Sequence, residues 1–154
     1  MNHWLTNELL AAPDIYPSSP IPTMNFEHFA LNVPDVRAAA AWYVEQLGLK
    51  VLRAKTEAPY THFFGDSTGR VFLELYTNPT DPVPDYPAQH QLRMHLAFAV
   101  ADAKGERTRL QQAGATLVVE EPLSDGSLLI MMRDPWGVPV QLCQRAQPFL
   151  PPGR

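Results

Sequence analysis

Four side chains at repeated spacings carry the chemistry open to this chain. His28 precedes Glu74 by 46 residues, His95 precedes Gln141 by the same 46, and the second pair is displaced from the first by 67. Two imidazoles, one carboxylate and one amide oxygen form a donor set for a divalent transition metal. Imidazole suits zinc, nickel and iron, and carboxylate oxygen suits manganese and iron as well. Four protein donors would leave coordination positions for water or substrate. A single carboxylate offsets only one of the ion's two positive charges, so such a centre would polarise a bound oxygen strongly and favour Lewis-acid work.

Bringing together residues 46 positions apart requires elements that return the chain on itself, and the sequence around the four residues repeats. Block one opens with Glu27-His28-Phe29-Ala30-Leu31-Asn32-Val33, and block two with Met94-His95-Leu96-Ala97-Phe98-Ala99-Val100. They close on Val71-Phe72-Leu73-Glu74-Leu75-Tyr76 and Val138-Pro139-Val140-Gln141-Leu142-Cys143. Neighbouring side chains of a strand point to opposite faces. Phe29, Leu31 and Val33 should therefore pack against helices, with His28, Ala30 and Asn32 facing the other way. In block two Met94, Leu96, Phe98 and Val100 take the apolar face, leaving His95, Ala97 and Ala99 opposite, where alanines leave room for a guest. Glu74 and Gln141 alternate away from Leu73, Leu75, Val140 and Leu142, so all four polar residues could line one concave surface.

Between these ends each block starts a helix after an aspartate able to cap it, Asp35 or Asp102. The helices are expected over Val36 to Leu47 and Ala103 to Ala113, stopping at Gly48 and Gly114, where glycine suits a left-handed cap. Strands should follow near Lys50 to Ala54, Thr61 to Phe64 and Val71 to Tyr76, then near Thr116 to Glu120, Leu128 to Arg133 and Val138 to Cys143. Asp66-Ser67-Thr68-Gly69 and Asp134-Pro135-Trp136-Gly137 both read as turns ahead of the last strand. The fold class is α+β, with two tandem βαβββ modules forming a curved mixed-sheet cup. Proline clusters mark the connectors. They divide the chain into an N-terminal arm (1–23), a first module (24–76), a Pro-rich connector (77–93), a second module (94–146) and a C-terminal tail (147–154). Within the arm, Trp4, Leu5, Leu9 and Leu10 lie near helical spacing, fit for a short helix docking on the body or on a second subunit; a disordered tail is the alternative.

Composition bounds the rest. The 154 residues are 45% hydrophobic and 18% charged, in the globular range. A net charge of −4 with scattered Lys and Arg carries no footprint for nucleic acid. Cys143 is the only cysteine, so no disulfide closes within the chain and a cysteine-based zinc cluster is excluded, which suits a reducing cytosol. Met1 to Ala12 lack the pattern of a secretory signal, and no stretch reaches membrane-spanning length. The expectation is a cytoplasmic protein whose partner is a small molecule, with neither membrane nor nucleic acid.

The motifs E-H-F-A-L-N-V with L-E-L, and M-H-L-A-F-A-V with D-P-W-G-V-P-V-Q-L, resemble the paired motifs of the vicinal oxygen chelate superfamily over about residues 24 to 146. That family includes glyoxalase I, methylmalonyl-CoA epimerase, extradiol dioxygenases, fosfomycin-resistance thiol transferases and metal-free bleomycin-binding proteins. The resemblance implies half a sheet-lined cup per module and one divalent ion (zinc, nickel, manganese or iron) on His28, Glu74, His95 and Gln141. It also implies a homodimer, with cups completed within or between chains. Glyoxalase I typically has a glutamate base at the position of Gln141. An amide has no useful basicity, so the resemblance leaves Glu74 as both ligand and catalytic base.

Three activities are compatible with this pattern. One is a glyoxalase-like lyase or isomerase acting through an enediolate on a small substrate with vicinal oxygens. Another is a metal-free module that sequesters a hydrophobic or aromatic compound. The third is a ring-cleaving dioxygenase with Fe(II) on the two histidines and Glu74. Around the site, Phe72 and Tyr76 are candidate pocket walls, Trp136 a guard in its turn, Cys143 a small buried wall residue, and His62 and His90 candidates for substrate contact. His3 reads as solvated tail. A glutathione substrate would need cations at the mouth, for which Arg37, Arg53, Arg70, Arg93 and Arg133 are available.

Overall fold

A computed structural model describes residues 24–149. Each half of the chain forms a four-stranded mixed sheet and one helix, in the order β1 (Phe29–Asn32), α1 (Val36–Leu47), β2 (Lys50–Ala54), β3 (His62–Gly65), β4 (Val71–Tyr76), then β5 (Leu96–Ala99), α2 (Ala103–Gln112), β6 (Thr116–Pro122), β7 (Leu128–Arg133) and β8 (Pro139–Gln144). The sheets run β1-β4-β3-β2 and β5-β8-β7-β6, and in each the first strand lies parallel to the last. The α+β class with two βαβββ units therefore holds. No helix among the described residues is long and apolar enough to cross a membrane. The arm residues Trp4, Leu5, Leu9 and Leu10, and His3, lie outside the described residues.

Local signals account for the elements. Asp35 caps α1 by accepting from the N–H groups of Arg37 and Ala38 at 3.0 and 3.1 Å, and Gly48 ends it in the left-handed region at φ 66°. Asp102 caps α2 through the Gly105 N–H at 3.0 Å. That helix stops at Gln112, one residue short of expectation, because Ala113 already leaves helical geometry before Gly114 turns left-handed at φ 94°. The two D-x-x-G turns close alike, the glycine N–H donating to the aspartate carbonyl at 3.0 Å in both. His28 and His95 each stand one residue ahead of their strand rather than within it. Phe29, expected to pack against the helices, is 40% exposed at the outer end of edge strand β1, while Leu31 and Val33 are buried as expected.

The halves join through their helices and one turn. Trp42 packs in the cores of both halves and donates its indole N–H to the Ala113 carbonyl at 2.8 Å. Arg109 donates to the side chain and carbonyl of Gln46 at 2.7 and 2.5 Å. Tyr43, fully buried, donates its hydroxyl to Asp134 Oδ2 at 2.7 Å across the joint. The connector is stitched to this body by Tyr86, whose hydroxyl donates to the Asn32 carbonyl at 2.8 Å, and by Arg133, which donates to the carbonyls of Tyr86, Gln89 and Gly137. Gly137 is required there: a Cβ would come within 2.5 Å of Pro87 Cγ.

Asp134 carries a cost for this position. Burial pushes its carboxyl up to about 6, although the Tyr43 hydroxyl and the N–H groups of Val138 and Trp136 favour the charged form. A folded-state value above the unfolded one means that the native protein holds the proton more tightly. The stability this group contributes is full below about pH 4 and is lost as pH rises through about 6. In Asp134→Asn, the amide oxygen can still accept from the turn N–H groups. Denaturant unfolding at pH 5 and pH 8 should show the variant gaining on the parent by on the order of 1–2 kcal/mol between the two conditions. Parallel pH dependences for the two proteins would refute this account.

Candidate metal centre

The register of each sheet sets its half of the site. In the first, Glu74 lies opposite Ala30 on β1 and Phe63 on β3, and Phe63 lies opposite Arg53 on β2. In the second, Gln141 lies opposite Ala97 and Met131, and Met131 opposite Val119. Even the irregularities match: a bulge falls between Val51 and Arg53, and another between Leu117 and Val119. Glu74 and Gln141 thus occupy equivalent points on the faces turned away from the buried Leu73, Leu75, Val140 and Leu142.

His28 and Glu74 meet. The imidazole Nε2 lies 3.1 Å from Glu74 Oε2, and Nδ1 lies 2.7 Å from Oε2 of the exposed Glu27. Nδ1 is buried, yet no acceptor is aligned with it as a hydrogen bond. The ring packs edge-on to Phe63 at 5.4 Å between centroids, which fixes its plane beside the carboxylate. A ring nitrogen just ahead of β1 and a carboxylate oxygen on β4 converge as two donors of one ion could. In the second half His95 is exposed, and Gln141 Oε1 accepts from the Cys143 thiol at 3.4 Å. Among the described residues no three His, Cys, Asp or Glu side chains stand together as metal donors. One chain therefore brings His28 to Glu74 but does not add His95 to them.

Two open cavities flank these residues. One, of about 430 Å³, is lined by Ala58, Pro59, Thr61, Glu74, Tyr76 and Asn78. The other, of about 360 Å³, is walled largely by Phe26, Phe29, Phe72, Met94 and Phe98, with His95 on its rim. Tyr76 and Phe72 thus line cavities, though different ones. Trp136 does not guard a site: it packs edge-on to Trp42 at 6.4 Å in the core. His62 shares the face of Leu75 rather than that of Glu74, and its Nδ1 lies 2.6 Å from the Tyr60 carbonyl. His90 Nδ1 accepts from the Leu92 N–H within the connector. Thr61 and Asn78 were missed in the sequence because only the folded loops around β3 and β4 set them beside Glu74. Asn32, expected on the cavity face, is buried and pins the start of the connector, accepting from the Asn78 N–H and donating to the Asp81 carbonyl, both at 3.0 Å.

The fold is one of paired βαβββ units in which Glu74 and Gln141 occupy matching points on the open faces of the two sheets. The family model for the Glyoxalase/Bleomycin resistance protein/Dioxygenase superfamily matches residues 25–142, and the chain belongs to that superfamily. It is 28% identical over 128 residues to the lactoylglutathione lyase of Salmonella typhimurium, covering 79% of this chain and 93% of the relative. Among solved structures, TnmS3, an antibiotic binding protein from Streptomyces sp. CB03234, shares the fold at a TM-score of 0.62 and 21% identity, over 82% of this chain and all of that one. A lactoylglutathione lyase from Agrobacterium tumefaciens does so at 0.56 and 22%, over 80% and 96%.

Burial raises the Cys143 thiol above its ordinary range, against a smaller opposing effect of Arg145. The thiol therefore stays protonated at neutral pH and serves as a wall and a donor to Gln141. A chromogenic disulfide reagent at pH 7.5 should label native protein at least about tenfold more slowly than unfolded protein. Equal rates would show that Cys143 is an accessible thiolate.

Proposed function

We propose that this chain is a metal-dependent lyase or isomerase of the lactoylglutathione lyase type, acting on a small substrate with two vicinal oxygens. One divalent ion, zinc, nickel, manganese or iron, is held by His28, Glu74, His95 and Gln141. The observation that carries this reading is the 3.1 Å approach of His28 Nε2 to Glu74 Oε2 at a register point that His95 and Gln141 repeat in the other sheet. The 28% identity to a lactoylglutathione lyase supports the reaction class. When bound, the ion would supply Lewis-acid polarisation at the site. Glu74 takes the proton from the hydroxyl-bearing carbon and returns it to the adjacent carbonyl carbon, while the hydroxyl proton passes to the former carbonyl oxygen; Gln141, its symmetry mate, has no basicity for that task. Phe63, edge-on to the His28 ring, holds the imidazole beside Glu74 on the open face, where the two would share the ion.

Since one chain leaves His95 apart from His28 and Glu74, the reading includes a homodimer in which the first half of one chain faces the second half of its partner. The helices support this arrangement, since they join the two halves of one chain to each other and turn the ligand-bearing faces away from the joint.

Elemental analysis of protein purified without a metal-binding tag should find close to one divalent ion per chain, falling sharply in Glu74→Gln. Absence of metal even after reconstitution would favour the alternative of a metal-free binding protein. Oxygen uptake with a catechol by the iron form would instead favour the dioxygenase. Site sharing has its own test. His28→Ala and His95→Ala proteins should each lose metal, and refolding them as a mixture should restore one site per heterodimer. No recovery in the mixture would place all four donors within a single chain.

A further inference from the structure

The row that carries Glu74 across the first sheet ends in a cation. Residues directly opposed in a sheet share a face, so the sequence of pairs Ala30, Glu74, Phe63, Arg53 sets Arg53 on the face where His28 meets Glu74. The bulge in β2 is what puts it there. Val51 stands opposite the buried Phe64, so regular pairing would set Leu52 opposite Phe63 and turn Arg53 toward the core. Neighbouring strands lie about 4.8 Å apart, which places the Arg53 backbone roughly 10 Å from that of Glu74 with Phe63 between them. Arg53 is exposed, and among the described residues its side chain enters no hydrogen bond or ion pair. Of the other candidate arginines, Arg37 lies over the Tyr60 ring at 4.9 Å and Arg133 donates to three carbonyls, while the exposed Arg70 and Arg93 stand outside the row of Glu74. The equivalent position in the second half, reached by the same bulge, is Val119.

We propose that Arg53 binds the carboxylate of an anionic substrate and so determines specificity at the site. This inference rests on the metal-centre reading above. The guanidinium fork pairs with a carboxylate through two parallel hydrogen bonds. Glu74 repels a carboxylate at the opposite end of the row, so the substrate lies one way round, with its vicinal oxygens toward His28 and Glu74. Phe63 supports the carbon chain between the two ends. Val119 at the matching point of the second half supplies no cation to its row.

The test uses glutaric acid monohydroxamate and its ω-amide, two compounds of equal size that chelate a metal through vicinal oxygens and differ in one terminal charge. Calorimetric titration of the metal-loaded full-length protein should show the carboxylate compound binding about tenfold more tightly than the amide. Arg53→Gln should bring the ratio near one, with metal content and affinity for the amide unchanged, and Arg53→Lys should keep part of the preference. A parent with no preference, or a Gln variant that retains it, overturns the role of Arg53 and leaves the metal centre standing. A shifted subunit equilibrium in the Gln variant, with the preference intact, assigns Arg53 to contacts between chains and overturns it equally. If neither compound binds and no metal is held, the metal-centre reading falls and this one with it.

Discussion

The parallel pairing of first and last strand in each half is the constraint from which the rest follows. Parallel strands cannot be joined by a tight turn, so the chain leaves β1, crosses through α1 and returns by β2 and β3 before β4 can lie beside β1. That circuit makes neighbours of residues 46 positions apart. It also sets Glu74 in an interior strand, flanked by Ala30 and Phe63, where the backbone on both sides holds the carboxylate at a defined height on the sheet. The second half repeats the circuit and the register, down to the bulge in its second strand.

Each sheet buries one face against a helix, and the helices and the β7–β8 turn bury their remaining apolar surface against each other. The Tyr43–Asp134 hydrogen bond lies in that joint. The same turn motif serves two ends in the two halves. The Asp66 side chain is half-exposed and accepts from Thr68 alone among the described residues, whereas the Asp134 side chain is buried and accepts from Tyr43 and from two N–H groups of its own turn. A buried carboxylate is destabilising unless its lone pairs are satisfied. The carboxyl of Asp134 is pushed up because burial outweighs those bonds. Burial pushes the Tyr43 hydroxyl well up for the same reason, with Asp134 adding to the shift.

Duplication produces symmetric positions, and the two halves fill them differently. Glu74 faces Gln141, Phe63 faces Met131 and Arg53 faces Val119 across the module symmetry. In this row the first half holds the carboxylate of Glu74 and the guanidinium of Arg53. The second holds an amide tied to Cys143 and a buried Met131. Charge and basicity are concentrated on one side of the pseudo-symmetry, so a substrate meeting both halves would meet two chemically different walls.

The sequence by itself determined the repeat, the order of elements and the faces. Alternation set Glu74 and Gln141 opposite their aliphatic neighbours, Asp35 and Asp102 marked the helix starts, and the glycines marked the turns. These are local signals, carried by spacing and by backbone preference. Contacts between the halves are not local. That His28 reaches Glu74 follows from the β1–β4 pairing within one half, but that His95 stands apart from them depends on how α1 docks against α2 and the β7–β8 turn, which no periodicity encodes. The burial of Asn32, the engagement of Trp136 in the core and the arrival of Thr61 and Asn78 beside Glu74 follow from packing of the connector and loops. Arg53 is the sharpest case. Counted by simple alternation from Val51 it belongs to the core side, and only the extra residue in β2, visible once the strands are paired, turns it to the face of Glu74.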